Sequence, residues 1–168
     1  MNIYQFAMDM ELDGKKYYEK LMGKANDKGL KNIFKMLAED EKKHHDIIKE
    51  MRNKGDINVD FKSLGNTDNI FEKLQKDKED LNLDKSEIEV YRHAIDIEDK
   101  SINFYNKQFE KAKEGTEKNL FKTLVEEEKK HKLILKNIIH FVSEPNKNIG
   151  KKSENADPEF ARFESEID

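Results

Sequence analysis

Two short phrases in this chain have the residue types and spacing to do chemistry. Glu41-Lys42-Lys43-His44 and Glu128-Lys129-Lys130-His131 both read Glu-x-x-His. On a helix, residues three apart share a face, so each phrase points a carboxylate and an imidazole in one direction. Such oxygen and nitrogen donors hold divalent first-row metals. Two more glutamates stand upstream in matching phrases, Ala7-Met8-Asp9-Met10-Glu11 and Ala94-Ile95-Asp96-Ile97-Glu98. Glu11 and Glu98, Glu41 and Glu128, and His44 and His131 are each separated by 87 residues. At that offset 19 of the 46 pairs between 6–51 and 93–138 are identical without a gap, so the chain reads as one helical hairpin written twice.

The elements that must carry these residues follow from apolar periodicity. Helix A is expected over about residues 2–25, with Ala7, Met10, Gly14, Tyr17, Tyr18, Leu21 and Ala25 on the face that holds Glu11. Helix B is expected over 29–53, after the turn Asn26-Asp27-Lys28-Gly29, with Leu37, Glu41, His44 and Ile48 in one stripe. Helix C spans 86–113, opened by a Ser86/Glu89 capping box. Helix D spans 116–142 and repeats the stripe as Leu124, Glu128, His131 and Leu135. Short A–B and C–D turns make each pair antiparallel. The long B–C connection over 54–85 is a crossover back along the bundle, with room for a short helix from Asn66-Thr67-Asp68. The expected fold is therefore an all-α four-helix bundle of two repeated hairpins, forming one domain over 1–143. A polar tail over 144–168 carries both prolines, and Asp157-Pro158 can start a short helix over 158–167.

A single Glu-x-x-His on a charged helix is ordinarily a solvated surface pair. Here both phrases lie within the apolar stripe, and the adjacent lysines face away. Glu11 and Glu98 are flanked by small residues, Ala7 and Gly14 in one copy and Ala94 and Ser101 in the other. We read those small residues as space beside a carboxylate. Four carboxylates in one core repel each other and lose hydration at several kcal/mol each. Two divalent cations balance the four charges and leave neutral imidazoles as further ligands.

This set is similar to that of ferritin-like di-iron and di-manganese carboxylate proteins, where two helices each give a Glu and two give Glu-x-x-His. Over about residues 3–142 the chain resembles the rubrerythrin-type branch, on Glu11, Tyr18, Glu41 and His44 and their counterparts Glu98, Tyr105, Glu128 and His131. The resemblance implies a ferritin-like four-helix bundle with two iron ions, or manganese in the same ligands. Glu41 and Glu128 would bridge the metals, Glu11 and Glu98 would be terminal carboxylates, and His44 and His131 would each cap one metal. By the resemblance Tyr18 and Tyr105 are hydrogen-bond donors to these carboxylates or guards against stray oxidation; otherwise they are ordinary core aromatics.

The implied activity is that of a di-iron oxidoreductase reducing hydrogen peroxide or oxygen with electrons from a separate donor such as a rubredoxin-like protein. The implied assembly is a homodimer. Two departures stand against a complete rubrerythrin cycle. The chain has no cysteine-rich rubredoxin module, and Ile95 and Ser101 stand where the third helix of the family carries an extra glutamate. An iron-binding ferroxidase-type storage protein, a dimanganese catalase-like protein and a metal-free interaction bundle remain as alternative readings.

Composition narrows the rest. The net charge is −4 with both signs mixed along the chain, giving no basic stripe for nucleic acid. No apolar run approaches the roughly 18 residues of a membrane span, and the N-terminus does not read as a signal peptide. Absence of cysteine excludes disulfides, thiolate zinc sites and iron–sulfur clusters within this chain. A cytoplasmic location is the expectation. His45, His93 and His140 have no repeat partner and read as surface or packing residues.

Overall fold

The computed structural model describes residues 2–54 and 87–143. These residues form four long α-helices: α1 (Ile3–Lys24), α2 (Lys28–Lys54), α3 (Ile88–Lys111) and α4 (Thr116–Ser143). The expected crossover, its short helix and the tail with Asp157-Pro158 lie outside the described residues, as does Ser86 of the expected capping box.

Local chemistry sets the helix ends. Asn2 caps α1, its side-chain oxygen accepting from the Tyr4 amide at 2.9 Å. Asp27 does the same for α2, accepting from the Leu30 amide at 3.0 Å. Gly115 turns α3 into α4 with φ of 131°, a backbone conformation that favours glycine. Solvated faces carry same-helix ion pairs such as Lys15–Glu19 at 2.6 Å and Lys54–Glu50 at 3.2 Å. Each such pair adds only about 0.2–0.5 kcal/mol, so the abundant surface charge solubilises the helices more than it holds them together.

Packing does the rest. Two apolar clusters sit at opposite ends of the bundle. One joins Tyr18 and Leu21 of α1, Leu30 and Phe34 of α2, Tyr91 of α3 and Ile138 of α4. The other joins Ala7 of α1, Met51 of α2, Tyr105 of α3 and Leu120 of α4. α2 therefore ends at one end of the bundle while α3 starts at the other, and the two run parallel. The buried faces differ from the expected ones in detail. Met8, Tyr91 and Ile102 are buried, whereas Met10 and Tyr17 are only half-buried at the rim, where the Tyr17 hydroxyl donates to the Val90 carbonyl at 2.9 Å. No helix among the described residues is long and apolar enough to cross a membrane.

Candidate metal centre

Between the two apolar clusters the bundle interior turns polar. Each helix contributes there because its apolar stripe is interrupted by one acidic residue, and on α2 and α4 by a histidine one turn further on. Glu11, Glu41, His44, Glu98, Glu128 and His131 are all buried, none more than 3% exposed. They form two overlapping groups, Glu11, Glu41, His44 and Glu128 in one and Glu41, Glu98, Glu128 and His131 in the other. Within each group one donor atom per residue lies within 4.8 Å of all the others.

The two groups share Glu41 and Glu128, and those residues divide their oxygens between them. His44 Nδ1 lies 3.0 Å from Glu128 Oε1, 3.4 Å from Glu11 Oε2 and 3.5 Å from Glu41 Oε2. His131 Nδ1 lies 3.2 Å from Glu41 Oε1, 3.4 Å from Glu128 Oε2 and 3.7 Å from Glu98 Oε1. The imidazoles stack with centroids 5.5 Å apart and planes within 19°. The site thus has an approximate two-fold arrangement inherited from the repeat.

Gly14 explains how the first hairpin fits a carboxylate here. A Cβ at this position would meet Glu41 Cδ at 3.4 Å, so the space expected beside Gly14 is filled by the Glu41 side chain itself. At the matching position Ser101 is buried and turns its hydroxyl to the Ile97 carbonyl at 3.3 Å.

The tyrosines reach across the bundle. Tyr18 of α1 donates its hydroxyl to Glu98 Oε1 on α3, and Tyr105 of α3 donates to Glu11 Oε1 on α1. Burial, reinforced chiefly by the facing glutamate charges, pushes both phenols well above their usual range and keeps them neutral.

Two further residues that the sequence reading passed over are buried beside the site. Asp40 and Glu127, 87 residues apart and each just before a shared glutamate, are 3% and 5% exposed. Asp40 Oδ2 lies 3.3 Å from His131 Nε2. Both residues also accept from a lysine one turn on, Lys43 and Lys130. The spacing Leu37, Asp40, Glu41, His44 contains the missed signal, because three and four residues after an apolar anchor fall on one face. His45 is half-buried, while His93 and His140 are exposed, and none of the three lies in the cluster.

Protonation balances the metal-free cluster. Burial raises the Glu11 and Glu98 carboxyls well above the usual range, and the charges of Glu128 and Glu41 raise them further. Burial also pushes Glu128 upward, but the close approach of Glu98 and the facing histidines outweighs it and leaves it well below the usual range. Glu41 is lowered too, since its close contacts with Glu11, His131 and His44 overcome burial and the Glu128 charge. Burial alone would lower both histidines, yet Glu128 and its neighbours raise His44, and Asp40, Glu128 and Glu41 raise His131.

Several polar atoms are still left over. His44 Nδ1 and Nε2, His131 Nδ1 and both Glu128 oxygens are buried without a hydrogen-bond partner. Buried polar atoms are normally paired, and a cation between these donors would supply the partner they lack. The donor set, mixed carboxylate oxygen and imidazole nitrogen, suits a two-metal site.

A bundle of two antiparallel hairpins around a buried carboxylate–imidazole layer is a ferritin-like four-helix bundle, the class that uses such layers to hold metal pairs. The family model described as Rubrerythrin matches residues 2–139, and the chain belongs to the Rubrerythrin family, a family of di-iron carboxylate proteins. No curated protein and no solved structure matches this chain.

Proposed function

We propose that this protein is a di-iron oxidoreductase that reduces hydrogen peroxide, or oxygen, with electrons from a separate donor protein. The observation that carries the reading is the division of oxygens at Glu41 and Glu128, each of which faces one histidine with each of its two oxygens. A carboxylate placed that way would offer one oxygen to each of two cations. Glu11 and Glu98 would close the two positions from the outer sides, and His44 and His131 would each cap one through Nδ1.

A bound di-iron(II) pair would supply two electrons, one from each iron, enough with two protons to break the O–O bond of one peroxide and yield two waters. The remaining work falls to the chain. Four carboxylates offset the charge of two divalent ions and favour their oxidised state over the reduced one. The flanking apolar clusters limit solvent at the site, which strengthens each electrostatic contact within it. Tyr18 and Tyr105 hold hydroxyl protons against Glu98 and Glu11, fixing the orientation of these two carboxylates.

The test is elemental analysis of protein from iron- and manganese-supplemented cells, followed by peroxide turnover with a chemical reductant. Two irons per chain and steady turnover are expected, both lost in the Glu41→Ala/Glu128→Ala double variant. Two manganese ions with reductant-free peroxide disproportionation would move the assignment to catalase chemistry. Large hollow assemblies that accumulate iron would move it to storage. A metal-free wild type that keeps its fold would remove the redox reading altogether.

A further inference from the structure

The two halves of the site differ in what lies behind each histidine. His131 turns Nδ1 toward Glu41, Glu128 and Glu98, and turns Nε2 to Asp40 Oδ2 of α2, 3.3 Å away. An ionised carboxylate only accepts, so Nε2 carries a proton in this contact and Nδ1 is the nitrogen whose lone pair would face a bound ion. Asp40 is itself held, with Oδ1 3.3 Å from Lys43 Nζ. The ring therefore faces the site with its orientation and tautomer set from behind.

The repeat places Glu127 in the same role toward His44, one methylene longer. The result differs. Glu127 Oε1 accepts from Lys130 Nζ at 3.2 Å, matching the Asp40–Lys43 pair. Its Oε2, however, is buried without a partner, and so is Nε2 of His44. The lysine contact is conserved between the halves and the imidazole contact is present in only one. A carboxylate on the far nitrogen of a ligating histidine raises its basicity and restricts its motion, and losing it typically costs about 10–100-fold in metal affinity.

We propose that Asp40 is a positioning residue for His131 and makes the two metal positions unequal, with the ion on the His131 side held more tightly than the ion on the His44 side. This rests on the two-metal reading above. The site would then fill in order, and partial loading would give a defined one-metal form rather than a mixture.

The experiment is a stepwise cobalt(II) titration of the metal-free full-length protein, followed by visible absorption and by the exchangeable imidazole N–H signals of the loaded protein in proton NMR. Wild type should bind two cobalt ions in two resolved steps, with the His131 Nε2–H signal visible at the first step and protected from exchange. Asp40→Ala should weaken the first step about 10–100-fold and abolish that protection. Asp40→Asn, which keeps an acceptor oxygen, should recover part of the affinity and some protection, and it carries the test if the alanine variant does not fold. Glu127→Ala should leave both steps within a few-fold of wild type.

Two equal steps in wild type, an unchanged first step and N–H signal in both Asp40 variants, or equal losses in Asp40→Ala and Glu127→Ala would overturn the inference while leaving the two-metal reading intact. A wild type that binds no cobalt would overturn both.

Discussion

The middle of the bundle and its two ends are built on opposite terms. At the ends, residues such as Phe34, Leu30, Phe121 and Leu120 pack with 2% exposure or less and carry no charge. In the middle, four glutamates, two histidines and Asp40 occupy the same four helices at equal burial. Apolar burial returns free energy whatever the solution conditions, whereas the middle layer is stable only when protons or cations balance it. Stability therefore resides at the ends, and the proposed chemistry would take place in a layer that the ends force into existence. Alternation along single helices produces this contrast, since each stripe is apolar, then polar, then apolar again.

The contrast can be broken most severely at the ends. Truncating Phe34 or Phe121 to alanine should cost about 3–5 kcal/mol in urea unfolding, by the same amount with and without metal. A loss confined to the metal-free protein would show that the ends lean on the middle.

Metal removal comes next. A bound metal at 100 times its dissociation constant adds about 2.7 kcal/mol by linkage, and chelation should remove it. The pH dependence should also change sign. Glu11 and Glu98 are raised above 4.5, and His44 and His131 above 6.5, so their contributions are present at low pH and fade as pH rises through the folded values. Glu41 and Glu128 are lowered below 4.5, so theirs are lost as pH falls through the folded values. The metal-free protein should thus melt at progressively lower temperature as pH rises above 6.5. The loaded protein should gain over that range, because metal displaces those same protons. Thermal melts at several pH values, with and without chelator, decide this.

Smaller changes test the two-fold character of the middle. Tyr18→Phe and Tyr105→Phe each remove one buried hydrogen bond and should each cost about 1 kcal/mol in urea unfolding. Markedly unequal costs would mean the halves differ energetically beyond Asp40 and Glu127. The smallest effect is expected at Gly14→Ala. Alanine favours the helix by up to about 1 kcal/mol, while the new Cβ presses on Glu41 Cδ. Metal-free stability should rise slightly and metal affinity fall a few-fold, read by melting and by titration.

Much of this arrangement was legible in the sequence, for identifiable reasons. Fold class followed from helical periodicity and the gapless repeat, both local signals. The six clustered residues were visible because each breaks an apolar stripe, which a surface charge does not do. Asp40 and Glu127 were hidden inside the acidic runs Glu39-Asp40-Glu41 and Glu126-Glu127-Glu128, where composition suggests solvent although the spacing to Leu37 and Leu124 places them on the inner face. The tyrosines could be placed on the inner face but not paired, since their partners lie 80 and 94 residues away and only the packed bundle brings them together. Met8 replaced Met10 inside because helix rotation is settled by neighbouring helices, not by the stripe alone.

The shared glutamates come one from each hairpin, Glu41 from the first and Glu128 from the second. Neither half of the repeat can therefore complete either position by itself. Each ion held there would stitch a seam between two copies of the same unit, so that loading the site and locking the halves together become a single event.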